Sequence, residues 1–165
     1  MTDHVLESAR HLITESLKEL RTSADGLPVE ALNWRPTPET NSIAVLITHA
    51  LGATRLWVRM ALGIPLPERD RASEFRATFG DASELLRFID EMSRECIKAL
   101  DSADSIDWTA IRETAGRGGD APPQVAAVYA LIHATEHLRG HVDQVSLIRQ
   151  LWSGRHTSDK PGALR

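Results

Sequence analysis

What most constrains this chain is a hydrophobic period of three to four residues, which recurs over four long segments. No period-two run of β-branched residues competes with it. From Asp3 to about Ser23, the residues Val5, Ala9, Leu12, Ser16 and Leu20 define one stripe, with charged residues elsewhere. Asp25-Gly26-Leu27-Pro28 ends that segment. A short turn with Leu32 and Trp34 follows, and Pro36 and Pro38 then forbid regular helix. Asn41 or Ser42 can cap a second helix, whose apolar face holds Ile43, Leu46, Ile47, Ala50, Leu51, Trp57, Val58 and Ala61. Gly63 and Pro65 end it. Asp81, with Glu84 three places later, opens a third helix carrying Leu85, Leu86, Ile89, Met92, Cys96, Ile97 and Leu100. Pro122 and Pro123 suit the first turn of a fourth, predicted to run to about Trp152 and stop at Gly154.

Four amphipathic helices in a chain of this length predict an all-α four-helix bundle without a sheet. The links at 64–80 and 101–121 are long enough for a crossover connection, and Gly116-Arg117-Gly118-Gly119 reads as a flexible link. A single domain is expected over residues 1–152, followed by a polar, flexible tail over 153–165. A net charge of −4 provides no global basic field, so neither nucleic acid nor an anionic membrane is an expected partner. No run of 18 apolar residues predicts a membrane span. The start, Met1-Thr2-Asp3-His4, lacks a basic region followed by an apolar run, so a cytoplasmic location is expected. One cysteine, Cys96, excludes an internal disulfide and a cysteine-based zinc knuckle, and its place on an apolar stripe predicts a buried, inert thiol.

The chemistry lies with histidine. Three of the seven, His133, His137 and His141, recur every fourth residue of the fourth helix. Each step turns the helix by about 400° and advances it by about 6 Å, so all three share a stripe. Two imidazoles at that spacing can chelate one transition ion, and a third ligand must come from another element. His49 is the candidate, set mid-helix beside Leu46, Ala50 and Ala53, where an unpaired polar ring is costly. Three histidine ligands leave coordination positions open, as catalytic rather than structural metal sites do. Imidazole competes with protons, so metal affinity is expected to fall steeply below about pH 6.5. His4, His11 and His156 have no such company and read as surface residues. His133-Ala134-Thr135-Glu136-His137 also spells the inverted zinc-protease motif, but no glutamate follows Glu136 to supply its acidic ligand. Arg55 and Arg59 can either hold an anion or form a solvated helix face.

The chain resembles the DinB-like family of metal-binding four-helix bundles over roughly residues 5–152. Leu32-Asn33-Trp34-Arg35-Pro36, followed by the run from Asn41 to His49, is similar to that family's approach to its first metal histidine. Trp57 matches a frequent aromatic. The segment from His137 to Gln144 is similar to the family's His-xxx-His element, with Gln144 at a recurrent glutamine. The resemblance implies a metal triad of His49, His137 and His141, with zinc or nickel the expected divalent ion. His133 then lies one turn too early, leaving it to support a ligand from behind, to line the pocket, or to serve structure alone. Glu136, Asp143 and Gln144 are the candidate assistants.

The resemblance further implies parallel second and third helices joined by a crossover, and frequent homodimers. Trp108, Val128 and Trp152 have no obvious inner partner in the sequence pattern; they either pack under the long links or are available to a dimer face. The implied activity is S-transfer or isomerisation of a small electrophile with a low-molecular-weight thiol such as mycothiol, bacillithiol or glutathione. A non-catalytic metal- or ligand-binding bundle and a metal-dependent hydrolase, with Glu136 or Asp143 as base, are the alternatives.

Overall fold

The computed structural model describes residues 3–114 and 122–158, with backbone alone for the last three. The Gly116-Arg117-Gly118-Gly119 link, the tail from 159 onward and the side chain of His156 lie outside the described residues. In chain order the elements are α1 (His4–Ala24), α2 (Val29–Asn33), α3 (Ile43–Leu62), α4 (Arg71–Glu74), α5 (Ala82–Asp101), β1 (Ile111–Glu113), β2 (Gln124–Ala126) and α6 (Ala127–Ser158).

Local chemistry sets the helix ends. The Asp3 carboxylate accepts from the N–H groups of Val5 and Leu6 at 3.1 and 3.0 Å, capping α1. Ser42 Oγ accepts from Val45 N–H at 3.3 Å and starts α3, and Gly63 ends that helix at φ +68°, a conformation costly to any side chain. Asp81 accepts from Glu84 N–H at 2.8 Å, while the Glu84 carboxylate reaches back to Gly80 N–H at 2.8 Å. The reciprocal cap is therefore present, displaced by one residue.

Four long helices make a ring in which α3 packs on α6, α6 on α1, α1 on α5 and α5 on α3. Their directions follow from the pairs between them. Arg10 meets Asp101 and Arg21 meets Asp90, so α1 and α5 are antiparallel. Arg139 pairs with Glu19, and Arg149 donates to the carbonyls of Thr22 and Ser23, so α1 and α6 are parallel. His49 meets His141 whereas Trp57 meets Tyr129, so α3 and α6 are antiparallel. It follows that α3 and α5 are parallel, and residues 64–80 form the crossover between them. α3 is buried on nearly every side, from Ile43 to Leu62, and the core runs along it through Ile47, Leu51, Trp57 and Val58.

Several expectations are corrected. A two-stranded antiparallel ribbon, with Arg112 opposite Val125, occupies the region read as pure link. Pro122 and Pro123 precede β2 rather than opening a helix: the carbonyl of Pro123 accepts from Thr114 N–H at 2.9 Å, which commits the chain to the ribbon. α6 does not stop at Gly154, which lacks the left-handed conformation of Gly26 and Gly63. It continues to Ser158, so 153–158 is helix rather than tail, anchored where Arg155 lies over the rings of Trp34 and Trp152. On α1, Ile13 and Leu17 take the core, while Val5 and Leu12 face outward at 43% and 52% exposure. Trp108 and Trp152 are likewise accounted for. Trp108 Nε1 donates to Asp3 at 2.8 Å, and Trp152 packs edge-on against Trp34. Val128 is half-buried beside α1. Arg55 and Arg59 hold the crossover rather than an anion, through Glu95 and the carbonyls of Glu68 and Pro65. Cys96 is buried and free, and burial pushes its thiol up to about 12, so the inert reading stands.

Among the described residues, no helix is long and apolar enough to cross a membrane.

Candidate metal centre

His49 projects from the middle of α3, and His137 and His141 from successive turns of α6, at the tightest seam of the bundle. One ring nitrogen from each lies within 4.8 Å of the other two. Ring centroids are 5.2 Å apart for His49 and His137, 5.1 Å for His49 and His141, and 4.5 Å for His137 and His141. The four-residue step stacks the last two on one stripe, as the helix period requires.

The remaining ring nitrogens decide what the cluster can do. His49 Nδ1 lies 3.0 Å from Glu74 Oε2 and His141 Nδ1 lies 2.7 Å from Gln144 Oε1. A carboxylate and an amide oxygen only accept, so both Nδ1 atoms carry the proton and both Nε2 atoms hold a lone pair. His137 Nδ1 is buried and has no hydrogen-bond partner among the described residues. A buried polar atom left unpaired is costly, and here it belongs to a ring converging on two others with free lone pairs. That donor set fits a transition ion.

Protonation agrees with ligation. Burial, followed by the neighbouring His141 and His49, pushes His137 down to about 3. His141 is lowered by burial, partly offset by its bond to Gln144. Both rings are therefore neutral at pH 7, the form that binds metal. These shifts would carry proton competition at His137 and His141 below the ordinary imidazole range.

Glu74 lies in the 64–80 link, which the sequence marks only as long enough for a crossover. It is buried at the end of α4, and Arg69 grips it with Nε on Oε1 at 2.6 Å and Nη2 on Oε2 at 2.7 Å. Burial alone would raise its carboxyl, but the bonds from His49 and Arg69 outweigh that and hold it below the usual range. One signal was available. Gly52 sits inside a helix, where glycine costs roughly 1 kcal/mol against alanine, and so calls for a reason.

His133 adjoins the triad, its centroid 5.6 Å from that of His137, but is not among the three converging rings. Its ring meets Trp57 edge-on at 4.4 Å and stacks on Tyr129 at 6.0 Å. It lines the mouth of the site with Glu136, Gly140 and Gln144, around a cleft of about 330 Å³. Asp143 turns away, pairing with Arg139 and lining a different groove beside α1.

The fold is a four-helix ring with a crossover, and its three convergent histidines could hold a metal ion. The DinB superfamily model matches residues 12–145, and the chain belongs to that superfamily. No curated protein matches the sequence. Among solved structures, the crystal structure of the conserved protein of locus from Enterococcus faecalis superposes with a TM-score of 0.69 at 14% identity. The match covers 90% of this chain and 96% of that one, and establishes likeness of fold.

Proposed function

We propose that this protein is a metal-dependent enzyme that uses a low-molecular-weight thiol against a small electrophile, by S-transfer or isomerisation. The observation that carries this reading is the triad itself: three imidazoles converge from two helices beneath an open cleft. His49, His137 and His141 would hold a divalent zinc or nickel ion, for which imidazole is well suited. Such an ion lowers the pKa of a bound thiol or water and so supplies a nucleophile at neutral pH. Gln144 fixes the tautomer of His141, while His133 and Glu136 line the approach. A free buried cysteine and a small cleft agree with a cytoplasmic protein acting on small molecules rather than nucleic acid.

The test is a panel of thiols, each offered with an electrophile, on metal-loaded and chelator-stripped protein. Thiol-dependent turnover that vanishes on stripping and returns with metal is the expected result. Turnover without thiol would favour hydrolysis, for which Glu136 at the mouth is the available base. Metal binding without turnover would leave a non-catalytic bundle.

Association as a homodimer belongs to the same proposal. Its candidate face is a groove of about 720 Å³ between α1 and α6, lined by Val5, Leu12, Val128 and Ile132. Ile132 is 59% exposed, which is unusual company for Leu12 and Val5 on one surface. Light scattering at micromolar concentration should give twice the chain mass, and Ile132→Glu should halve it. A single-chain mass for the unaltered protein would remove the dimer.

A further inference from the structure

The crossover does more than connect α3 to α5. Asp70 caps the single turn of α4 by accepting from Ser73 N–H at 3.0 Å, and that turn delivers Glu74 to the ring of His49. The side chains of Arg69, Glu74 and His49 are only 12%, 8% and 10% exposed. An ion pair withdrawn this far from water is a poor source of stability, since apolar residues of equal volume do as well or better. The backbone of α3 is also adapted to it. A Cβ on Gly52 would lie 2.4 Å from Glu74 Oε1 and 3.4 Å from Arg69 Nε, so a side chain there would push the carboxylate out of this position. Three residues, His49 and Gly52 from α3 and Arg69 from the crossover, therefore converge on one carboxylate.

We propose that Glu74 is a positioning residue: gripped by Arg69 and bedded on Gly52, it fixes the proton of His49 on Nδ1 and presents Nε2 to the triad. The inference rests on reading the triad as a metal site. Geometry makes the assignment: Glu74 Oε2, 3.0 Å from Nδ1, can only accept as a carboxylate, whereas Arg69 Nη2, which needs Nδ1 as an acceptor, stands farther off at 3.4 Å. Arg69 instead acts through the carboxylate, aiming Oε2 at the ring. Phe75, with its centroid 4.8 Å from that of His49, closes the other side of the imidazole. Carboxylate support of a ligating histidine fixes its tautomer and orientation and strengthens it as a ligand.

Two readouts test this. Proton–nitrogen correlation of ¹⁵N-histidine in the metal-free protein should find the His49 proton on Nδ1. In Arg69→Met/Glu74→Leu, which removes both charges together and is expected to keep the helical signal, that proton should redistribute towards Nε2. Zinc affinity of the same variant, measured by competition with a chromophoric chelator, should fall by about 10 to 100-fold. Glu74→Gln keeps an acceptor for Nδ1 and should lose less than about tenfold. A proton on Nε2 in the unaltered apoprotein overturns the proposal, as does a folded double variant with zinc affinity within about twofold of the original. Should the double variant not fold, the tautomer of the unaltered apoprotein still decides. Failure of the unaltered protein to bind zinc would sink the metal site itself, while the apoprotein tautomer separately judges Glu74.

Discussion

Replacing His137 by alanine should abolish stoichiometric metal uptake, whereas replacing His133 should leave it nearly intact. The two residues are one helical turn apart and share an α6 stripe, so sequence spacing treats them alike. The structure separates them. His137 lies in the triad with a buried Nδ1 that no described group satisfies, and His133 is packed against Trp57 and Tyr129. A residue supporting a ligand typically changes affinity by about 10 to 100-fold, and loss of one ligand of three should exceed that range. Elemental analysis after dialysis, with chelator competition for affinity, checks the pair. Equal losses would shift the site one turn towards the start of α6.

Acid should destabilise the metal-free protein well before its carboxylates alone would. His137 is held down to about 3 by burial first and by neighbouring rings second, against an ordinary value near 6.5 in the unfolded chain. Between those limits the unfolded state binds a proton that the native state refuses, so stability falls as pH falls. The slope for one such proton approaches about 1.4 kcal/mol per pH unit. His141 and His133 are lowered too, and the lowered Glu74 loses its contribution as pH falls further, so all four act in one direction. Thermal melts of apoprotein at pH 7, 5.5 and 4.5 should show a progressive drop, reduced in His137→Ala. Coincident melts would mean that these rings titrate normally.

The helices were legible because burial on one face of a helix leaves a period near 3.6, as in α1 and α5, and in the nearly engulfed α3 the same period survives in the less buried Thr48, Gly52, Arg55 and Arg59. The histidine cluster was legible in part: spacing put His133, His137 and His141 on one stripe and His49 on an apolar face, while the choice of His137 and His141 rested on the family resemblance. Other features depend on contacts between distant segments. Strands of three residues, such as Ile111–Glu113, are too short to display a period, and their pairing depends on a carbonyl at Pro123. Gly154 reads as a stop because glycine favours left-handed caps, yet the packing of Trp34, Trp152 and Arg155 carries the helix past it. The outward turn of Val5 and Leu12 follows from Ile13 and Leu17 competing better for the core. Glu74 was hidden because its partners, His49 and Gly52, belong to another helix, and a charged residue in a link ordinarily faces water.

The division of the triad between two helices has a thermodynamic consequence. α6 alone brings His137 and His141 onto one stripe, whereas His49 joins them only once α3 has docked in register. An unfolded chain that retains some helix can therefore still offer two ligands, while the native bundle offers three. Mass action stabilises the fold only by the difference between its affinity and that of the competing state. A tightly held ion would thus raise the unfolding free energy by less than its binding constant suggests, and the increment would be set by His49, the one ligand that the folded arrangement alone supplies.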